Sequence, residues 1–333
     1  MMNRHEERKA KPEGPYPDVR SAFTLTLLAM IAAGFTGVAF IDFGLLAAVG
    51  IGQAIGVGAI ATMGAQRVAE PQAERLGLRA LDPAAIPAIL CLTPAILLVS
   101  ELDNHAADWS RTTESTIERS APAPNTEIEP ADIANDGTIG IDSAGDGDGI
   151  GSPPHGFDPV EANAGSASEP ASPIIDPDDP WSLVQALIVM VGISPVVEEF
   201  LFRGVIQQGL VQRLGLVRGV AMVALLWTLL RPAPLAGWTR FFAAALASFA
   251  MGWALGIVRI ATRSILGSIL LASSWAAVGL AAVALEGRVD LPGLNVEDSH
   301  LPLVVTLSSL LVVGWAGWMT FQEAERQFGI EAG

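Results

Sequence analysis

Apolar positions come in long uninterrupted blocks separated by short polar breaks. Eight blocks stand out, at residues 23–40, 43–64, 83–99, 181–212, 216–230, 238–258, 264–285 and 301–321. Most have about the length a helix needs to cross a hydrocarbon core of ~30 Å. Ile41-Asp42 predicts the turn between the first two, and residues 66–82, with Arg67, Arg75 and Arg79, predict a polar loop. Pro87 and Pro94 predict a kink in the third. Gly52-x-x-x-Gly56 and Gly252-x-x-x-Gly256 predict close helix contacts, because small residues at that spacing let backbones approach. The expected fold is an all-α integral membrane protein with about eight transmembrane helices and a long disordered acidic insert.

The insert is where the charge lies. The net charge is −16, and residues 101–180 carry 18 of the 35 acidic residues against Arg111 and Arg119. This segment is rich in Asp, Gly, Pro, Ser and Ala and predicts a chain that cannot bury enough apolar surface to offset its entropy. Asp132-Ile-Ala-Asn-Asp136-Gly137 and Asp142-Ser-Ala-Gly-Asp146-Gly-Asp148 resemble loose calcium loops without the full ligand spacing, so a solvated linker is expected. The parts are then a tail (1–20), three helices (21–100), the insert (101–180), a four-helix core (181–285), and a loop, last helix and tail (286–333). The first apolar block is too long for a signal-peptide core and reads as an anchor. No basic patch interleaved with aromatics points to nucleic acid. Cys91, the single cysteine, excludes a disulfide framework. With both termini cytoplasmic, 14 of the 19 Lys and Arg fall on the cytoplasmic side, Arg203 counted among them, and the acidic insert falls outside. A bacterial cytoplasmic membrane is the expected location, with membrane lipid and a membrane protein or peptide as partners.

Candidate chemistry is concentrated in Ile193-Ser-Pro-Val-Val-Glu198-Glu199-Phe-Leu-Phe-Arg203-Gly204. Ionised groups in an apolar segment are costly and rarely persist there without a task. Helical geometry places Glu199 and Arg203 on one face, four residues apart, with Glu198 turned about 100° away. One carboxylate is thereby pinned by the arginine while the other faces a cavity. A structural salt bridge at a helix end is the plainer reading, but a pinning bridge needs only one acid.

Pro195-Val-Val-Glu198-Glu199-Phe-Leu-Phe-Arg203-Gly204 resembles the first signature of the CPBP family, which includes the CAAX prenyl endopeptidases and bacteriocin-processing proteins. The resemblance covers roughly residues 181–285. It implies an intramembrane protease in which a Glu and two His activate water or hold zinc or another divalent metal. It also implies a Phe-x-x-x-His motif on the next helix and a His-x-x-x-Asn or Asp motif two helices later. At those positions this chain has Trp227 for the Phe, Arg231 for the His, Ala272 for the second His and Ala276 for the Asn. Sliding the register brings in Ser273 or Ser274, neither a good metal ligand. The four histidines, His5, His105, His155 and His300, lie outside the spans or at their ends.

A catalytic zinc site wants three protein ligands, usually with imidazole among them. Without it, no metal or other cofactor is expected. The leading expectation is a catalytically impaired relative that acts by binding or scaffolding. An endopeptidase with a Glu-based site, Arg231 standing in as oxyanion donor, is the alternative. A transporter or channel comes third, since no inverted halves are visible. Arg203 neutralises Glu199 and leaves Glu198 in want of a partner, so Glu198 is expected to pair with Arg231. Counting residues leaves their relative depth open.

Overall fold

The computed structural model describes residues 15–120, 174–231, 237–296 and 298–332. The chain divides into two units, Met1–Thr113 with Pro173–Gly333, and Glu114–Ser172. Of the second unit, only the last turns of one helix are among the described residues, and both calcium-like motifs lie outside them.

The first unit is a helical bundle, and no strand occurs among the described residues. Its main helices are α1 (Val19–Ala39), α2 (Leu45–Ala65), α3 (Ala95–Ser120), α4 (Pro180–Leu214), α5 (Leu216–Leu230), α6 (Trp238–Thr262), α7 (Ile265–Ala284) and α8 (Leu303–Ala332). Seven stretches are long and apolar enough to cross a membrane, and α5 is the short apolar eighth. At ~1.5 Å per residue its 15 residues span only about 22 Å, and Arg231-Pro232 stops it early. Large apolar side chains such as Phe35, Leu229, Leu311 and Trp315 are exposed, as lipid-facing positions require. This is an integral membrane protein.

The sequence signals act locally as expected. Asp18 accepts from the Ser21 amide and caps α1; those Ser21 contacts hold its carboxyl below the usual range. Ile41–Phe43 is a single 3₁₀ turn, and Gly44 (φ 97°) starts α2. A Cβ on Gly52 or Gly56 would fall 2.6 Å from the Ala33 carbonyl oxygen or 2.5 Å from the Ala33 nitrogen, so α2 lies directly on α1. Gly252 and Gly256 face Trp227, Ala224 and Val220 of α5 in the same way. The third apolar block is broken at residues 91–94, between the short helix Ile86–Leu90 and α3.

Two expectations need correction. The polar insert does not begin at residue 101, because α3 continues to Ser120. Residues 95–120 contain neither Gly nor Pro, and Pro122 is the first breaker. Arg203 is not a cytoplasmic surface cation but fully buried, so it drops out of the topological charge count.

The centre of the bundle is α4, 35 residues from its Asp179 cap to Gly215 (φ 81°). Leu201, Phe202, Val205, Ile206 and Leu210 are completely buried. Two π-helical stretches, Leu187–Ile193 and Phe200–Ile206, flank one α-helical segment, Ser194–Glu199. Pro195 has no amide to give the carbonyl of Val191; Ser273 of α7 donates its hydroxyl to that oxygen instead, at 2.8 Å. Such π turns shift side-chain register locally and recur at functional sites. Here they frame the two glutamates.

Candidate functional site

Glu198 and Glu199 sit at the end of that α-helical segment, and both are buried. Glu199 Oε1 lies 3.1 Å from Arg203 Nη1, one turn along, an ion pair off the line of a hydrogen bond. Arg203 Nη2 donates to the Gly252 carbonyl at 3.0 Å. Ser268 of α7 stands beside Glu199 and donates its own hydroxyl to Ile265 O at 2.9 Å.

Glu198 points the other way. Its Oε2 accepts from Arg231 Nη2 at 2.9 Å and from Trp227 Nε1 at 3.1 Å. Trp227 and Arg231 are four residues apart at the end of α5, so one helix face supplies both donors. The indole also lies between two guanidiniums, with Arg231 Cζ 4.2 Å and Arg203 Cζ 5.2 Å from its ring. Both distances are in the cation–π range. Glu198, Glu199, Arg203, Trp227 and Arg231 thus form one connected polar cluster of two acids and two bases. Glu198 lies midway along a helix of about 50 Å rather than at the end of a ~30 Å span, which brings it level with the end of α5.

At the third motif, Ala272 packs against the main apolar core and Ala276 is half-buried on the same helix. Ser273 and Ser274 donate to the carbonyls of Val191 and Leu270. His5 and His155 lie outside the described residues. His105 and His300 meet elsewhere, on α3 and the loop before α8. Ser268 was not legible as a neighbour of Glu199; its place one turn before Ala272, on the face of α7 turned to α4, is the only signal.

Arg203 also lines a cavity of about 470 Å³ on its other side, together with Arg75, Arg79, Gln207, Arg259 and Arg263. Its one acid, Glu74, pairs with Arg79 and lies 3.9 Å from Arg263. The 66–82 loop builds this wall by docking on the α6–α7 turn. Ser264 Oγ donates to Arg79 O at 2.6 Å, the Ile265 amide to Gly77 O at 3.0 Å, and Arg259 Nη2 to Arg75 O at 3.2 Å.

Residues 180–278, which contain every residue of the polar cluster and the third-motif positions, match the family model described as type II CAAX prenyl endopeptidase Rce1-like. This segment is a CPBP-family domain. It takes in α4 to α6 and most of α7, while α1, α2, α3 and α8 lie outside it. No curated protein and no solved structure matches the chain. The Glu198-Glu199-Phe-Leu-Phe-Arg203 run lies within the matched residues, as do Trp227, Arg231, Ala272 and Ala276.

Proposed function

We propose that this protein is a CAAX protease-like membrane protein that no longer cleaves peptide bonds and acts by binding a membrane-associated partner. The observation that carries this reading is the double occupation of Glu198 Oε2 by Arg231 and Trp227. A general base needs a free lone pair near a water, and a carboxylate engaged by a permanently charged guanidinium is a poor proton acceptor. Ala272 and Ala276, at the positions where the family resemblance implies a His and an Asn, offer neither a ligand nor a donor. Arg231 thus takes over the charge balance that a metal or an imidazole would have supplied. The arginine-lined cavity beyond Arg203 gives the binding reading a place, since an acidic group of a lipid or peptide would meet several guanidiniums there.

The test is a peptide-cleavage assay on the full chain in detergent or vesicles, with wild type and Glu198→Gln side by side. Neither is expected to cleave above the no-protein control. Cleavage by wild type that vanishes in Glu198→Gln would overturn the proposal in favour of a Glu-based endopeptidase.

A further inference from the structure

On α3, Glu101, His105 and Asp108 recur at i, i+4 and i+7 and share one face. The loop between α7 and α8 brings His300 against them. His300 Nδ1 is 2.9 Å and His105 Nε2 is 3.2 Å from one and the same atom, Glu101 Oε1. The three candidate ligand atoms lie within 4.8 Å of one another. A tetrahedral metal with bonds of about 2.0–2.2 Å separates its ligand atoms by about 3.3–3.6 Å. Small side-chain adjustments therefore suffice to place one ion among them.

The surroundings are those of a ligand set held from outside. Glu101 Oε2 accepts the Leu301 amide at 2.8 Å. His300 Nε2 faces Asp108 Oδ2 at 2.8 Å, and Asp108 Oδ1 accepts from Arg111 at 2.5 Å. A carboxylate on the far nitrogen of a histidine is the usual partner that orients a metal-bound imidazole. The loop is pinned independently, since Ser100 Oγ and Asn104 Nδ2 both donate to Gly293 O, at 2.6 and 3.1 Å. The hydrogen bonding also asks for a cation. Both nitrogens of His300 face carboxylate oxygens, and a neutral imidazole has only one N–H. With that proton given to Asp108, the Nδ1 lone pair points at the Glu101 carboxylate, a repulsive contact unless a proton or a metal lies between.

We propose that Glu101 Oε1, His105 Nε2 and His300 Nδ1 bind a divalent transition metal, with zinc the best match to a two-imidazole, one-carboxylate set. Asp108 orients His300 from outside, and water completes the coordination. The ion ties α3 to the loop before α8, outside the CAAX protease-like segment. This site is independent of the reading of Glu198.

The experiment is equilibrium dialysis of the tag-free full chain in detergent against buffered zinc, with bound metal measured by mass spectrometry. Wild type is expected to hold one zinc per chain, and Glu198→Gln the same. His105→Ala and His300→Ala are each expected to weaken binding at least about 10–100-fold, and Asp108→Asn about 10-fold. Cobalt loading should give tetrahedral or five-coordinate d–d absorption that His105→Ala abolishes. His105 is 66% exposed, so its replacement leaves the fold intact, which metal-free thermal unfolding checks. A wild type that binds no zinc leaves His300 a bare imidazolium bridge and overturns the proposal. So does zinc whose affinity is unchanged by His105→Ala, or lost in Glu198→Gln.

Discussion

Two ion pairs one residue apart differ in how much they matter. The Glu199–Arg203 pair is fully buried, with side chains 1% and 0% exposed. Removing one partner strands a charge in a low-dielectric interior and costs about 3–5 kcal/mol, while replacing both by apolar residues is often near neutral. Arg203→Leu should therefore prevent stable folding in detergent or lower the unfolding midpoint sharply, and Glu199→Leu in the same chain should recover most of the loss. Strictly additive losses would contradict this. The Glu198–Arg231 pair has an outer partner, since the Arg231 side chain is 45% exposed. Arg231→Leu is expected to cost only about 1–2 kcal/mol after solvent screening, much of it restored by Glu198→Gln. A midpoint drop as large as that of Arg203→Leu would show that solvent does not reach the pair. Both pairings were legible in the sequence, one from i,i+4 spacing and one because the CPBP resemblance puts Arg231 where the family has its first His. The indole bond from Trp227 and the approach of Ser268 were not, because they depend on how α5 and α7 rotate against a π-helical stretch. The His105–His300 meeting was hidden for a simpler reason, a separation of nearly two hundred residues bridged only by tertiary packing.

At the level of elements, glycines separate helix contacts from lipid-facing surface. A Cβ on Gly56 would sit 2.5 Å from backbone nitrogen Ala33, and backbone cannot step aside. A Cβ on Gly34, on the partner helix, would meet nothing within 4 Å. Gly56→Ala should thus force α1 and α2 apart and cost about 1–3 kcal/mol. Gly34→Ala should be neutral or stabilise by up to about 1 kcal/mol, because alanine favours helix. Thermal unfolding of the two variants in one detergent checks the contrast, and equal effects would mean that the α1–α2 contact is looser than its geometry. The Gly-x-x-x-Gly spacing disclosed this contact from sequence. The length of α3 was not disclosed, because its polar second half has the composition of an insert while lacking any residue that stops a helix. Its anchors, Glu101 and Asn104, act on the loop before α8 and carry no local signature.

For the whole molecule, orientation rests on where cations reach water. With Arg203 buried, the balance of Lys and Arg still favours the side that holds residues 66–82 and the ends of α6 and α8, through Arg67, Arg75, Arg79, Arg259, Arg263 and Arg326. Short loops rich in Lys and Arg stay on the cytoplasmic side. Among the described residues the opposite side has Arg111, Arg231, Arg240 and Arg288; Arg111 pairs with Asp108 and Asp298, Arg240 with Asp103 and Arg288 with Asp178, so these three contribute little net charge there. This orientation, an expectation from charge, predicts that the arginine-lined cavity opens toward the cytoplasm and that the His105–His300 cluster lies outside. Both consequences can be read in one labelling experiment. After Cys91→Ser, a cysteine introduced at exposed Asp290 should react with an impermeant thiol reagent on intact cells. One at exposed Glu70 should react only after permeabilisation. The inverse pattern would turn the protein over. It would leave the ion pairs and the metal cluster where they are in the bundle but give the arginine cavity an extracytoplasmic partner. Reaction at both positions on intact cells would mean that the helices between them do not cross as assigned.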